Sequence, residues 1–195
     1  MLTMTTRQIF LIIGLCLLAA CSKTEYVCHN GSTAASRDQC PDYGLYVQDY
    51  VLTLEDMPDG YIIDEEETGM QLGSEITEDD LQRGWKEGYF CGFFKPEGEV
   101  IVEAVYCFVS RYDAQGLKGI FETNESANMT FFKASVGDSS VGYYNYDAAN
   151  DASSYTVEFV KDDVYAGVTM QKRGQVDLSE DVIRYAQAMA SRIKE

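Results

Sequence analysis

From Tyr89 onward the chain keeps returning to one pattern: a run of β-branched and aromatic residues, a turn, then another run. Tyr89–Phe94 and Val100–Val109 are joined by Lys95–Gly98. Met129–Val136 and Val141–Tyr146 follow, and Ser154–Val160 and Val164–Met170 flank Lys161-Asp162-Asp163. Punctuated runs of this kind read as strands and hairpins. Strands joined by so few residues lie antiparallel, since a parallel pair needs a crossover of a dozen residues or more. In the second run Val100, Val102 and Ala104 fall on one side and Ile101, Val105 and Val109 on the other. Apolar residues on both sides predict a central strand covered on both faces.

Helical patterns are fewer. Thr77 with Asp80 three residues on predicts a cap for a short helix carrying Leu81 and Trp85 on one face and ending at Gly88. Asp113 is predicted to start another, with Ala114, Leu117, Ile120 and Phe121 at helical spacing. The last element is the clearest. Asp177 or Ser179 caps it, Glu180 and Asp181 occupy its first turn, and Val182, Ala186, Met189 and Ile193 form one stripe. Arg192 and Lys194 sit near its end, where cations suit the helix dipole. The predicted class is α+β: an antiparallel sheet with helices packed mainly on one face and a C-terminal amphipathic helix. Residues 43–195 are expected to form a single globular α+β domain, opened by Tyr43–Leu54, the turn Met57-Pro58-Asp59-Gly60 and a short strand at Tyr61–Ile63.

The N-terminus reads as an address. Arg7 is the only charged residue before Lys23, and Ile9–Leu18 is an unbroken apolar run, IFLIIGLCLL. A positive start and an apolar stretch too short to span a bilayer mark a secretory signal over residues 1–20. The run meets Leu18-Ala19-Ala20-Cys21, which resembles the lipobox of prokaryotic lipoproteins, where cleavage precedes a Cys whose sulfur carries diacylglycerol. The resemblance implies lipid attachment at Cys21, and two acyl chains anchor a protein firmly. The competing reading is ordinary cleavage after Ala20, but Leu18 stands where that pattern wants a small residue. Residues 21–42 then form a lipid-anchored polar stalk, and the domain is expected on the extracytoplasmic side of a cell membrane.

Of six Cys, Cys16 leaves with the signal and Cys21 takes the lipid, which leaves Cys28, Cys40, Cys91 and Cys107. An even remainder in an exported chain suggests two disulfides with three possible connectivities. Cys28–Cys40 would close a small polar loop, worth roughly 3 kcal/mol in the chain-entropy model. Cys91 and Cys107 remain as the second pair. If Pro96-Glu97-Gly98 turned the hairpin, however, Cys91 would face a residue near Glu103, and two buried free thiols are the alternative. Zinc at Cys28, His29 and Cys40 is disfavoured, because two adjacent ligands followed by one eleven residues on is not a finger or ribbon spacing. Asn30, Asn124 and Asn128 open N-x-S/T sequons in polar stretches and are candidate glycosylation sites.

Two further likenesses concern architecture. Tyr26-Val27-Cys28 … Gly31 … Cys40-Pro41 is similar to a short two-Cys module of archaeal exported proteins. The Met57-Pro58-Asp59-Gly60 turn, the Val136-Gly137-Asp138-Ser139-Ser140 segment, the final hairpin and the terminal helix resemble a loose set of prokaryotic lipoproteins, and at greater distance the PsbP/Mog1-like fold. The first motif has Met where those proteins usually have Leu. These resemblances imply an α+β layout and no chemistry.

With 32 Asp+Glu against 15 Lys+Arg the net charge is −17, and loss of Arg7 with residues 1–20 makes it −18. A chain this acidic has no electrostatic footprint for nucleic acid and is repelled by anionic lipid. The single His, at position 29, gives a Ser-His-Asp or Cys-His centre nothing to use within the domain. No nucleophile-elbow, zinc-protease or phosphate-loop motif occurs. Glu99, Glu103 and Glu158 on strands could supply a carboxylate pair of the glycosidase kind. Eleven Asp/Glu in the 26 residues Glu55–Asp80, with no Lys or Arg, could hold a hard cation or meet a basic partner, but the spacing fits no calcium loop. Asp147, Asn150 and Asp151 also miss the EF-hand pattern. Tyr143, Tyr144 and Tyr146 suit a sugar or protein contact, or rim packing. No cofactor and no metal is indicated. The expected function is a membrane-anchored extracytoplasmic lipoprotein, a non-enzymatic binding or assembly-accessory module for a basic protein partner or a small ligand. The alternative is a small hydrolase using a carboxylate pair or a bound cation.

Overall fold

The hairpins predicted from the turn residues form, and they form one sheet. The computed structural model describes residues 26–27, 33–34, 39, 46–71, 75–113, 115–121 and 129–193. The chain divides between Tyr46 and Val47. On the N-terminal side the described elements are β1 (Tyr26–Val27) and β2 (Thr33–Ala34), paired antiparallel with Tyr26 opposite Ala34. Cys21, Cys28, His29, Asn30, Cys40, Asn124 and Asn128 lie outside the described residues.

On the C-terminal side β3 (Ile62–Ile63), β4 (Gly69–Met70), β5 (Glu87–Glu97), β6 (Val100–Arg111), β7 (Thr130–Phe132), β8 (Ser139–Asp147), β9 (Ala152–Lys161) and β10 (Val164–Arg173) make an antiparallel sheet. Its order is β3-β5-β6-β10-β9-β8-β7, with β4 also on the outer edge of β5. The helices are α1 (Glu78–Gln82) and α2 (Ser179–Arg192). The fold is α+β, mostly antiparallel sheet, with the C-terminal helix packed on it.

Alternation decides the two faces. Val105, Cys107 and Val109 of β6, Val157 and Phe159 of β9, and Val164, Ala166, Val168 and Met170 of β10 all point to one side. There they meet Val182, Tyr185, Ala186 and Met189 of α2, together with Val47, Val51 and Leu52. The predicted helix stripe is the buried one, and Leu178 serves as the N-cap residue while the Asp177 carboxylate accepts from the Ser179 N–H at 2.9 Å. Lys161 reaches across from β9 and donates to the Ala190 and Ile193 carbonyls at the helix C-terminus, each at 2.9 Å, where a cation is favoured. Arg192 donates to the Val51 carbonyl and pairs with Asp56, which ties the helix end to the 51–56 segment.

The Cys91–Cys107 pair shows how a turn sets register. The hairpin turns at Gly98-Glu99, later than the Pro96-Glu97-Gly98 reading by one and a half residues, so Glu97 opposes Val100. Pro96 has no N–H to give the ladder, and the register slips by one between Lys95 and Pro96. Together these set Cys91 directly opposite Cys107, with Cα atoms 5.1 Å apart, and a disulfide joins them within the core.

Three other expectations change. Asp113 and residues 115–121, the described part of this stretch, are not helical: their hydrogen bonds include short turns, Gly116 to Asp113 and Ile120 to Leu117. Gly116 lies against the Arg83 carbonyl, so no side chain fits there and the chain follows that contact instead of winding. The Thr77 helix has its capping box but stops at Gln82, and Gly88 already pairs with Ser110 in the sheet. The run Met129–Val136 yields only Thr130–Phe132 as strand, because the Ser140 hydroxyl takes both the Ala134 carbonyl and the Val136 N–H and bends the chain away.

Candidate functional site

The opposite face of the sheet has no long helix among the described residues. At one end Tyr112, Leu117, Ile120 and Phe121 pack with Trp85 over Tyr165 and Val160. Elsewhere it shows aromatic and polar side chains in rows set by the register. Tyr143 of β8 lies opposite Thr156 of β9, Thr156 opposite Thr169 of β10, and Thr169 opposite Tyr106 of β6. The two threonine hydroxyls are 3.0 Å apart.

The centre of this face is Glu158. Tyr143 donates to its Oε1 at 2.6 Å and Tyr165 to its Oε2 at 2.7 Å, so one carboxylate joins β8, β9 and β10. Gly167 opposes Glu158 and leaves room for the Phe108 ring, which meets Tyr165 edge-on at 5.1 Å. Burial, followed by the adjacent Glu158, raises Tyr165 and Tyr143 above the usual tyrosine range. Both hydroxyls are therefore held as proton donors. They neutralise the demand of a half-buried carboxylate for partners, which is a structural task. The sequence signal was there in the alternation: Tyr143, Glu158 and Tyr165 all share the side opposite Phe159 and Ala166.

Other sequence candidates separate. Glu103 points to the helix-covered side, where Lys172 approaches it at 3.4 Å and Tyr61 donates to it. Glu158 points to the other side, so the sheet stands between these two carboxylates, and Glu99 sits exposed in the β5–β6 turn. Within Glu55–Asp80, Asp56 pairs with Arg192 and accepts from Thr53, and Asp80 caps α1 through Thr77 and accepts from the Tyr112 hydroxyl at 2.7 Å. For both, burial would raise the carboxyl, but these hydrogen bonds outweigh it and hold each below the ordinary Asp range. Asp64 accepts from the Glu66 and Glu67 N–H groups and so shapes its own loop. Asp147 does the same for Ala149 and Asn150, while Asp151 accepts from Tyr146. Among the described residues no group of three His, Cys, Asp or Glu is placed to hold a metal ion.

The three clustered tyrosines divide between faces: Tyr143 to Glu158, Tyr144 stacked on Tyr155 at 5.0 Å on the core side, Tyr146 to the β8–β9 turn. The Val136-Gly137-Asp138 segment is a latch on the final hairpin. Asp138 donates its N–H to the Val160 carbonyl at 2.7 Å and accepts from the Asp162 N–H at 2.9 Å. Gly137 has φ +61° and lies too close to the Val160 carbonyl for a side chain.

At the outer margin of β5, residues 64–71 close over the same face. Asp64 and Gln71 donate N–H groups to the Gly92 and Gly88 carbonyls at 2.8 Å, and the Thr68 hydroxyl accepts from Gly92 at 3.0 Å. Beside β4 lies a groove of about 450 Å³ bordered by Glu66, Glu67, Met70, Glu75 and Phe90.

No protein-family model matches the chain, and no curated protein matches it in sequence. Among solved structures it is similar to the extracellular domain of PknH from Mycobacterium tuberculosis, at 10% identity and a TM-score of 0.49, over 75% of this chain and 95% of that one. A likeness at this level brings no activity with it. Among the described residues no helix is long and apolar enough to cross a membrane.

Proposed function

We propose that the chain is a lipid-anchored lipoprotein, tethered at Cys21 to a cell membrane, whose extracytoplasmic domain is a non-enzymatic binding or assembly-accessory module. The observation that carries the non-enzymatic part is the fate of the acids. Glu103 and Glu158 are held on opposite sides of the sheet, and Asp56, Asp80 and Glu158 each have their oxygens taken up by caps, latches or tyrosine hydroxyls. A hydrolase of the paired-carboxylate kind needs two such groups within about 5–9.5 Å of one another across a substrate. The Cys91–Cys107 disulfide supports an exported domain, because thiols this readily paired stay reduced in a cytosol. Supporting the anchor is the passage from the apolar run Ile9–Leu18 into Leu18-Ala19-Ala20-Cys21. The acidic surface fits a basic partner and keeps the domain off an anionic membrane.

The test is a pair of measurements on full-length protein expressed in a prokaryotic host. Intact mass of membrane-extracted protein, with and without reductant, is expected to give a chain beginning at Cys21 with a diacylglyceryl adduct and bonded cysteines. Cys21→Ser is expected to leave the membrane fraction or to retain its leader. A Cys21→Ser protein that stays membrane-bound with its leader removed overturns the lipid anchor.

A further inference from the structure

The sheet ends on one side in a short edge with an unusual surface. β4 pairs with β5 through Gly69 opposite Phe90 and Met70 opposite Tyr89, and no described strand pairs with its other side. Phe90 has Phe108 opposite it on β6, but on the β4 side it faces a glycine and has no side chain beside it. A Cβ built on Gly69 would meet nothing within 4 Å, and Phe90 is 37% exposed. Met70 is 48% exposed beside it, and Ile62 and Ile63 of the neighbouring edge strand β3 are 47% and 45% exposed. Four large apolar side chains thus gather along one margin of a sheet whose interior is well covered. The groove beside them is bordered by Glu66, Glu67 and Glu75, with no Lys or Arg in its lining.

Charge selects the occupant. A second copy of this chain would bring the Glu66–Glu67 loop against its own like, in molecules each carrying a net charge of −17, and like-charge juxtaposition at an interface costs several kcal/mol. A cationic segment meets the opposite condition. An extended one also satisfies the free edge: its main chain can pair with β4, successive side chains can fall over Phe90 on one face and beside Met70 on the other, and Lys or Arg can reach the acids. We propose that the β4 edge is a docking surface for an extended, cationic segment of a protein partner, held by strand addition over Phe90. The 64–71 segment is pinned to Gly88 and Gly92, so the edge is formed before a partner arrives. The proposal refines the binding-module reading and stands apart from the anchor, since Cys21→Ser fractionation can fail without touching it.

The experiment uses the full chain in detergent and a capped Lys-Val-Lys-Val-Lys-Val peptide, read by titration calorimetry and by amide exchange. Binding with new protection at Met70, whose N–H faces away from β5, is expected. The joint substitution Glu66→Lys and Glu67→Lys should weaken binding about tenfold, since rim charges tune such encounters. Gly69→Val, which covers Phe90, should weaken it by a similar factor, about tenfold, by filling the pocket for an alternate side chain. N-methylation of alternate peptide bonds should abolish it, because the ladder donors are gone. Thermal melts confirm that each variant is folded. Failure of the peptide to bind, equal binding of a Glu-Val peptide, unchanged affinity in the Glu66/Glu67 variant, an N-methylated peptide that binds as well, or protection appearing elsewhere overturns the proposal. The last of these would make the acids a guard against edge pairing.

Discussion

The two faces of the sheet are built from the same strands yet hold themselves together differently. On the helix-covered face the central side chains are mostly apolar and fully buried, with Val157, Phe159, Val168 and Met189 all at 2% exposure or less. Stability there comes from apolar area removed from water and from close packing. On the opposite face the side chains are tyrosine, threonine, glutamate and phenylalanine, half-buried, and organised by hydrogen bonds to Glu158 and between Thr156 and Thr169. The first face specifies the fold; the second leaves aromatic and polar surface in reach of solvent.

The sharpest way to break this contrast is to truncate one ring on each side. Phe159→Ala is expected to cost about 3–5 kcal/mol in urea unfolding. Phe131→Ala, at a ring 46% exposed, should stay within about 0.5 kcal/mol. Equal effects would remove the distinction between the faces. Next in size is the disulfide. Replacing Cys91 and Cys107 together by Ala should cost about 2–4 kcal/mol, measured by the same unfolding curve with oxidised wild type as reference.

Glu158→Gln tests the polar face. An amide offers one acceptor where the carboxylate offered two, so Tyr143 or Tyr165 loses its partner, and a loss of about 1–2 kcal/mol is expected. The pH dependence has a definite sign. Both tyrosines are raised in the folded state, so their contribution is complete below about pH 10, the unfolded tyrosine pKa, and is lost as pH rises through the folded values. Alkaline unfolding curves that match for wild type and Glu158→Gln would show that the carboxylate does not hold these hydroxyls.

The smallest expected effect is at the helix latch. Asp56→Asn should cost about 1 kcal/mol, because the Asp56–Arg192 pair is partly solvated. Asp56 is lowered in the folded state, so its contribution is present above the unfolded Asp pKa of about 3.9 and disappears as pH falls through the folded value. An acid-unfolding midpoint unchanged by the substitution would place the latch energy elsewhere.

Local pattern was readable wherever one chemical rule dominated. The stripe Val182, Ala186, Met189 and Ile193, the Thr77–Asp80 box and the Asp162-Asp163 hairpin all appear where their residues put them. Patterns set by a distant neighbour were not readable. Residues 113–121 have helical spacing, but residues 115–121 form turns, with Gly116 held against Arg83. The acids illustrate the same limit for the site. Nothing in the spacing of Glu103 and Glu158 says that the sheet separates them, and nothing near Phe90 says that its partner across the strand is Gly69.

The amino-acid sequence alone determined the class of the fold and the buried face of the last helix, because each depends on neighbours a few positions apart. Only the tertiary structure decided that Cys91 stands opposite Cys107, that two tyrosines share Glu158, and that the β4 edge leaves Phe90 open. Those outcomes depend on strand register, and the bulge at Pro96 and the position of the Gly98-Glu99 turn together assign every partner between β5 and β6 beyond them.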